Sequence, residues 1–477
     1  MSRGAGKRGE RFSPVMAVII AVIILAGTLF GYDQGVISGA LAGISKSFHL
    51  GALLTEVVTS WVTLGALVGS LIGGEVADRV GRKKAVLAAG VLFALGAVLQ
   101  SVAPHPPLLV GGRLVIGVGV GLAAVAAPLY GAEMAPAALR GRFVSAYQLA
   151  ITIGIFIAYQ VDATLTADNG GWRLMLGVAG FVGVALFLVM LAAPESPRWL
   201  LKVGRRADAL SALRAVRPDA DQPALLADME AALSEETGKA SWREVFAPEL
   251  RRPLAIAVGL AVYQQITGIN AIIYYADSIF AAAGFASPAA QTLATTWAIG
   301  AVNVLATFIA IAFIDRLGRR PLLLAGLIGM GVSLVVVGTA FVFIGAPAAG
   351  AAGASGPSAG GIVTMIGLIV FIVSFAFSLG PVVWTVINEI FPGRVRGRAV
   401  SVATAVNWGA AFVVSEFFLT LIHAIGRPAT FWLFAFFCVT GWVWIWRQVP
   451  ETKGRSLEEI ERIWVEEGGL APALRRI

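Results

Sequence analysis

Two short stretches decide the fold: Gly74-Glu75-Val76-Ala77-Asp78-Arg79-Val80-Gly81-Arg82-Lys83 and, with its aspartate 237 residues later, Asp315-Arg316-Leu317-Gly318-Arg319-Arg320. Each follows a long apolar run and precedes another, so each reads as a charged turn between two membrane-crossing helices. The correspondence continues outward. Glu133-Met134-Ala135-Pro136, running on to Arg140-Gly141-Arg142, matches Glu389-Ile390-Phe391-Pro392, running on to Arg396-Gly397-Arg398, at an offset of 256. Pro194-Glu195 matches Pro450-Glu451 at the same offset. The change of offset by 19 residues is largely accounted for by an Ala/Gly/Ser-rich stretch at 346–361, which reads as a flexible outer loop.

The composition fits a bilayer rather than water. Hydrophobic residues make up 58% of the 477 and charged residues 13%, against about 25% charged in a soluble domain. Apolar runs of the length that spans a bilayer core fall at 15–39, 54–77, 85–103, 108–132, 142–164 and 172–193. They resume at 253–282, 288–313, 321–345, 361–388, 399–423 and 430–448. The expected fold is therefore all-α and integral to the membrane. Twelve transmembrane helices form two pseudo-symmetric six-helix bundles, 1–193 and 253–449, with a helical linker domain at 194–252 and a tail at 450–477. The first run is too long for a signal-peptide core and has no small-residue cleavage site, so it is expected to be retained.

Lysine and arginine placement sets the orientation. With the N-terminus inside, 32 of the 36 basic residues fall on the inner side. Only Lys46, Arg173 and Arg427 fall outside, and Arg113 lies within a span. Both termini are thus expected in the cytoplasm. The net charge of +8 reflects topology and does not point to nucleic acid. The three histidines (His49, His105, His423) map to outer ends of different spans, which gives no metal site. The single cysteine, Cys438, reads as a small buried apolar side chain. No nucleophile–base pair, nucleotide loop or cofactor signature is present, so no enzyme activity and no cofactor are expected.

Parallel repeats of six spans are the organisation of the major facilitator superfamily, with the substrate site between the halves. In such a scaffold, carboxylates and arginines at matching helix ends could pair across the inner mouth. Glu133, Arg142 and Glu195, with Glu389, Arg398 and Glu451, are the candidates for that latch, beside Asp78, Arg82, Arg198, Asp315 and Arg319. The alternative for the arginines is simple positive-inside anchoring.

Four motifs carry a closer resemblance: Gly74-x-x-x-Asp78-Arg79-x-Gly81-Arg82-Lys83, Pro194-Glu195-Ser196-Pro197-Arg198-Trp199, Gln264-Gln265-Ile266-Thr267-Gly268-Ile269-Asn270, and Pro450-Glu451-Thr452-Lys453-Gly454. In this order and spacing the chain resembles the sugar porter family of that superfamily from about residue 20 to 460. Span five, Tyr147-Gln148-Leu149-Ala150-Ile151-Thr152-Ile153-Gly154-Ile155, is similar to bacterial galactose/glucose–proton symporters, and the xylose and arabinose symporters belong to the same group. Span ten departs from the animal facilitators: it reads Ser378-Leu379-Gly380-Pro381-Val382-Val383-Trp384, where they carry a Gly-Pro-Gly-Pro-type run. The resemblance implies that the polar stretch 194–252 is a cytoplasmic helical domain bracing the inner gate, with short amphipathic helices at 206–216 and 223–233.

A sugar site needs neutral amides for hydroxyls and a flat aromatic wall for the ring face. Amides within spans are Gln148, Gln264, Gln265, Asn270, Asn303 and Asn407. Each alone could be interhelical packing glue, yet unpaired amides in lipid are costly, so the set should face a cavity or each other. The resemblance implies sugar binding at these six positions and an aromatic role for Trp384 and Trp408. Gly268, between the glutamines and Asn270, allows span seven to unwind there.

Carboxylates inside spans are functional by default, and Asp33 lies within span one. At 1.5 Å per residue it sits roughly 27 Å along, and Arg113 lies about 8 Å in from the outer end of span four, at similar depth. The repeat places Asn270 opposite Asp33 and Ile369 opposite Arg113, so the scaffold does not itself require charge at either position. Burial favours a protonated carboxyl and a neighbouring guanidinium favours the ionised one. Asp33 is therefore expected to be the proton site and Arg113 its switchable partner. The resemblance agrees, since the family's symporters carry Asp and Arg there and its animal facilitators an Asn for the Asp. The alternative is a static ion pair locking two helices. Ile155 stands where some pentose symporters place an amide, which favours a hexose. The expected function is a monomeric, proton-coupled monosaccharide symporter in the cytoplasmic membrane of a bacterium. A passive facilitator, a polyol or inositol symporter and a non-transporting sugar sensor are the alternatives.

Overall fold

The structure, a computed structural model, describes residues 13–136, 140–165, 171–218, 221–235, 242–344 and 358–453. Twelve helices among them are long and apolar enough to cross a bilayer. In chain order they are Pro14–Phe48, Ala52–Val80, Arg82–Ser101, Pro106–Met134, Ser145–Leu165 and Gly171–Ala192, then Pro248–Tyr274, Pro288–Ile311, Arg319–Ile344, Ala359–Glu389, Val395–Glu416 and Phe418–Gln448. They are spans one to twelve below. No strand occurs among the described residues. The helices outrun the apolar runs because backbone hydrogen bonding continues past the lipid. Span one goes on through Lys46 to Phe48 and stops only where His49 turns left-handed (φ 53°). The 346–361 loop and the tail lie mostly outside the described residues.

Span one packs on span five through glycines at every fourth position, Gly27, Gly31, Gly35 and Gly39, and the next, Gly43, meets Trp172 of span six. A methyl at Gly31 would collide with the main chain of Ile151, and Gly154 presses on Thr28 in the same way. With lipid as apolar as the helices, such close backbone approach is what drives association.

Four interruptions shape the second half. Span seven breaks at Gly268 (φ 96°), between helices Arg251–Ile266 and Ile269–Tyr274. Span eight contains a π-helical segment, Thr295–Ala301. Span ten breaks between Ala359–Ala376 and Leu379–Glu389, with Ser378 at φ −125°, ψ −95°. The helix Phe418–Gln448 turns at Gly426 (φ 83°, ψ 160°). Residues 418–425 therefore extend span eleven, and span twelve proper begins beyond Gly426, close to the boundary read from the sequence.

Between the halves, helices Arg206–Val216 and Gln222–Glu235 fall where amphipathic segments were expected. With Pro197–Lys202 they share a small apolar cluster of Trp199, Leu200, Ala209, Ala212, Leu213 and Leu226. Trp199 ties the cluster to the first charged turn by donating its indole N–H to the Asp78 carbonyl at 2.8 Å.

Candidate functional site

The amides of spans seven and eleven form one bonded group. Asn407 donates its Nδ2 to Gln264 Oε1 at 2.7 Å and to the Ala261 carbonyl at 3.0 Å. Gln265 donates its Nε2 to Asn407 Oδ1 at 3.1 Å. Gln264 in turn donates to the Leu379 carbonyl at 2.7 Å, which the break in span ten brings within reach. All three side chains are buried. Gln265 Oε1 is buried without a hydrogen-bond partner among the described residues, a deficit of about 1–3 kcal/mol that a hydroxyl donor would relieve. Asn270 and Asn303 are also buried, and neither amide has a hydrogen-bond partner among the described residues. Gln148 and Trp384 are half-buried. Trp408 is buried against Phe30 of span one, with ring centroids 5.3 Å apart, so the aromatic wall bridges the two halves. No hydrogen bond joins Gln148, Asn270 or Asn303 to the bonded group among the described residues.

Asp33 and Arg113 meet. Arg113 Nη1 lies 3.0 Å from Asp33 Oδ1, with side chains 0% and 4% exposed. The guanidinium also donates Nε to the Val58 carbonyl and Nη2 to the Thr59 carbonyl, both at 3.1 Å. Arg113 thus has two carbonyl partners on span two besides Asp33. Tyr274 of span seven, in the other half, lies beside Gln34 and within the electrostatic reach of Asp33. The ion pair therefore faces the seam between the halves.

At the basic end the hydrogen-bonded and ion-paired glutamates bind within their own half, as expected of a latch that pairs only when the halves close there. Glu133 pairs with Arg82 (Nη2–Oε1 2.9 Å) and accepts from the Ser196 hydroxyl. Glu195 accepts from the backbone N–H of Lys83 at 3.0 Å. The second half repeats this bracket with equivalent residues. Glu389 pairs with Arg319 at 3.0 Å and accepts from the Thr452 hydroxyl at 2.6 Å, and Glu451 accepts from the N–H groups of Arg319 and Arg320, each at 3.0 Å. The physical reason is local. Gly81 (φ 105°) and Gly318 (φ 88°) interrupt the chain just before each arginine, exposing N–H groups that a carboxylate of the same bundle can cap. Arg82 also reaches Asp78 at 3.0 Å. Arg142 is exposed and Arg198 half-buried. Arg398 stacks over Trp242, 5.4 Å from its ring centroid. The side chain of Asp315 lies outside the described residues.

The hydrogen bonds that do cross between halves cluster at the opposite end. Asp277 N–H donates to Ser38 Oγ at 3.0 Å, and Tyr159 donates to the Ile273 carbonyl at 2.9 Å. Glu56 accepts from Thr420, and Glu416 from Ser60. Glu56, Asp162, Asp277 and Glu416 were not singled out in the sequence. The rule applied to Asp33, a carboxylate inside an apolar run, would have found Glu56, Asp162, Asp277 and Glu416 as well.

Comparison with known proteins then places the chain. The "Sugar (and other) transporter" family matches residues 19–464. The chain is similar to the galactose-proton symporter of Escherichia coli, 38% identical over 391 residues, 80% of each chain. It is similar also to Inositol transporter 4 of Arabidopsis thaliana, 34% identical over 484 residues, 84% of this chain and 83% of the relative. Among solved structures, the proton:xylose symporter XylE of E. coli, of the major facilitator superfamily, bound to 6-bromo-6-deoxy-D-glucose, superposes with a TM-score of 0.78 at 30% identity, covering 94% of this chain and 98% of that one.

Proposed function

The chain belongs to the sugar transporter family of the major facilitator superfamily, and from that premise we propose that it carries a monosaccharide, a hexose, together with a proton across the cytoplasmic membrane by alternating access. The observation that carries this reading is the Asp33–Arg113 pair, fully buried and facing the seam between the halves. A helix-locking pair has no need to sit there, whereas a proton site that senses which side is open does. The amides and Trp408 form the sugar wall: Gln265 Oε1, Asn270 and Asn303, which have no hydrogen-bond partner among the described residues, supply hydroxyl contacts, and the indole covers the ring face.

The basic end is assigned to the cytoplasm, with both termini there. Protonation of Asp33 from outside weakens its pairing with the guanidinium, which is also held by the Val58 and Thr59 carbonyls. Release of the proton inside restores the pair. A membrane potential of 100 mV supplies about 2.3 kcal/mol per charge, enough for roughly a fifty-fold sugar gradient. The duplicated bracket of Glu133, Arg82 and Glu195, with its copy, keeps each bundle rigid while the two move. A second reading, an inositol or another polyol as substrate, is favoured by the similarity to the plant inositol transporter.

The test is the pH of a weakly buffered suspension of de-energised cells expressing the protein, on addition of glucose, galactose, xylose, arabinose or inositol. Alkalinisation with a hexose is the expected result, and with inositol alone it selects the second reading. Equilibration of labelled sugar without a pH change would leave a passive facilitator.

A further inference from the structure

Where span two meets span eleven, at the end opposite the basic clusters, two carboxylates exchange partners across the halves. Glu56 of span two, 1% exposed, accepts from the Thr420 backbone N–H at 2.6 Å and from the Thr420 hydroxyl at 2.8 Å. Glu416 of span eleven accepts from the Ser60 hydroxyl. The sequence creates this reciprocity. Helix hydrogen bonding is interrupted at Phe417 (φ −102°, ψ 7°), which frees the N–H groups of the next turn, and Glu56 takes one as a helix-capping carboxylate would. Ser60 stands one turn from Glu56 on the same helix face, so both bonds lie on the same interface with span eleven.

Span two is in turn gripped by Arg113 through the carbonyls of Val58 and Thr59, which lie between Glu56 and Ser60. We infer that Glu56, Ser60, Glu416 and Thr420 form the latch that holds the outer mouth closed, and that Arg113 positions it. The grip makes the register of span two depend on the same guanidinium that binds Asp33, so proton occupancy and outer closure share one side chain. The inference rests on the alternating-access reading but needs neither the identity of the sugar nor proton coupling.

Leu53 and Ile425 are 68% and 47% exposed at the outer ends of spans two and eleven. Spin labels on Leu53→Cys and Ile425→Cys, with the buried Cys438 replaced by Ala, report the distance between those ends in full-length protein without sugar. Loss of charge-assisted bonds in Glu56→Ala should raise the ratio of long-distance to short-distance populations by about tenfold. Thr420→Val, which exchanges a hydroxyl for a methyl of the same shape and opens no cavity, should raise it about threefold. It decides the matter if Glu56→Ala fails to fold. Distance distributions in the folded variants that match the parent's would overturn the latch. Failure of the symport reading would appear instead as absent alkalinisation, with these distances still responding.

Discussion

Gly31-Tyr32-Asp33 in span one and Gly268-Ile269-Asn270 in span seven occupy equivalent places in the two repeats, and the structure treats them differently. Span one stays helical through Gly31, which is pressed against Ile151. Span seven breaks at Gly268, which turns left-handed under the ring of Phe434. The first site buries a carboxylate against Arg113; the second buries an amide with no bonded partner among the described residues. At the basic end the two repeats instead keep the same bracket, down to Ser196 standing where Thr452 stands. The halves share their frame at the membrane surface and divide labour in the middle. A rigid, charged helix suits a switch. A broken one, with loosened backbone and neutral amides, suits a hydroxyl-rich ligand.

Exchanging the chemistry should break this division in a fixed order. Asp33→Asn, which gives the first half the side chain of the second, should abolish accumulation of labelled sugar, a loss of roughly fifty-fold at 100 mV. It should leave exchange of labelled for unlabelled sugar within about twofold. Accumulation by that variant would place the proton site elsewhere. Asn270→Ala should act on the other side of the ledger. The loss of one or two hydroxyl bonds, about 1–2 kcal/mol, raises KM roughly 5- to 30-fold. Alkalinisation at saturating sugar should persist, and its disappearance would show that the two sites are not separable. Gly268→Ala should have the smallest effect. Forcing a Cβ into a left-handed position costs about 1–2 kcal/mol, and that Cβ would press to 2.7 Å from the Phe434 ring, which must shift, so the melting midpoint of detergent-solubilised protein should fall by at least a few degrees. An unchanged midpoint would mean that the break in span seven is not set by Gly268.

The sequence made the frame readable because hydropathy and charge act locally. Six apolar runs, a polar break and six more could be counted directly, and the repeat of Asp78 to Lys83 in Asp315 to Arg320 tied the halves together. Asp33 and Arg113 were matched by depth and by the family resemblance, and they meet. What stayed hidden depends on neighbours. The π-helical turn at Thr295–Ala301 leaves no signature in the pattern of apolar residues, and the break at Ser378 is marked only by Pro381, which has no N–H to offer the carbonyl of the preceding turn. Glu133 and Glu195 carry the right charges for a latch between halves. Only the left-handed glycines beside Arg82 show that their nearest donors lie at home. The true contacts across the halves fell to Glu56 and Thr420, one of them a main-chain N–H that no residue name advertises.

The distance in sequence between Asp33 and Arg113, 80 residues, has a consequence for synthesis. At about 5–20 residues per second, roughly 4–16 s separate the appearance of the two side chains from the ribosome. During that interval span one must enter the membrane with a solitary carboxylate. An Asp at the centre of a span is disfavoured by about 2.5–3.5 kcal/mol on insertion scales, an upper bound for Asp33 towards the outer end, against about 0.3–0.6 kcal/mol gained for each Leu, Ile, Phe or Val. The run of valines, isoleucines and leucines ahead of Asp33 therefore serves the nascent chain before it serves the finished transporter. When span four follows with Arg113, the waiting carboxylate gives that arginine a reason to stay in the bilayer, so the pair proposed as the switch would first act as a partner in insertion.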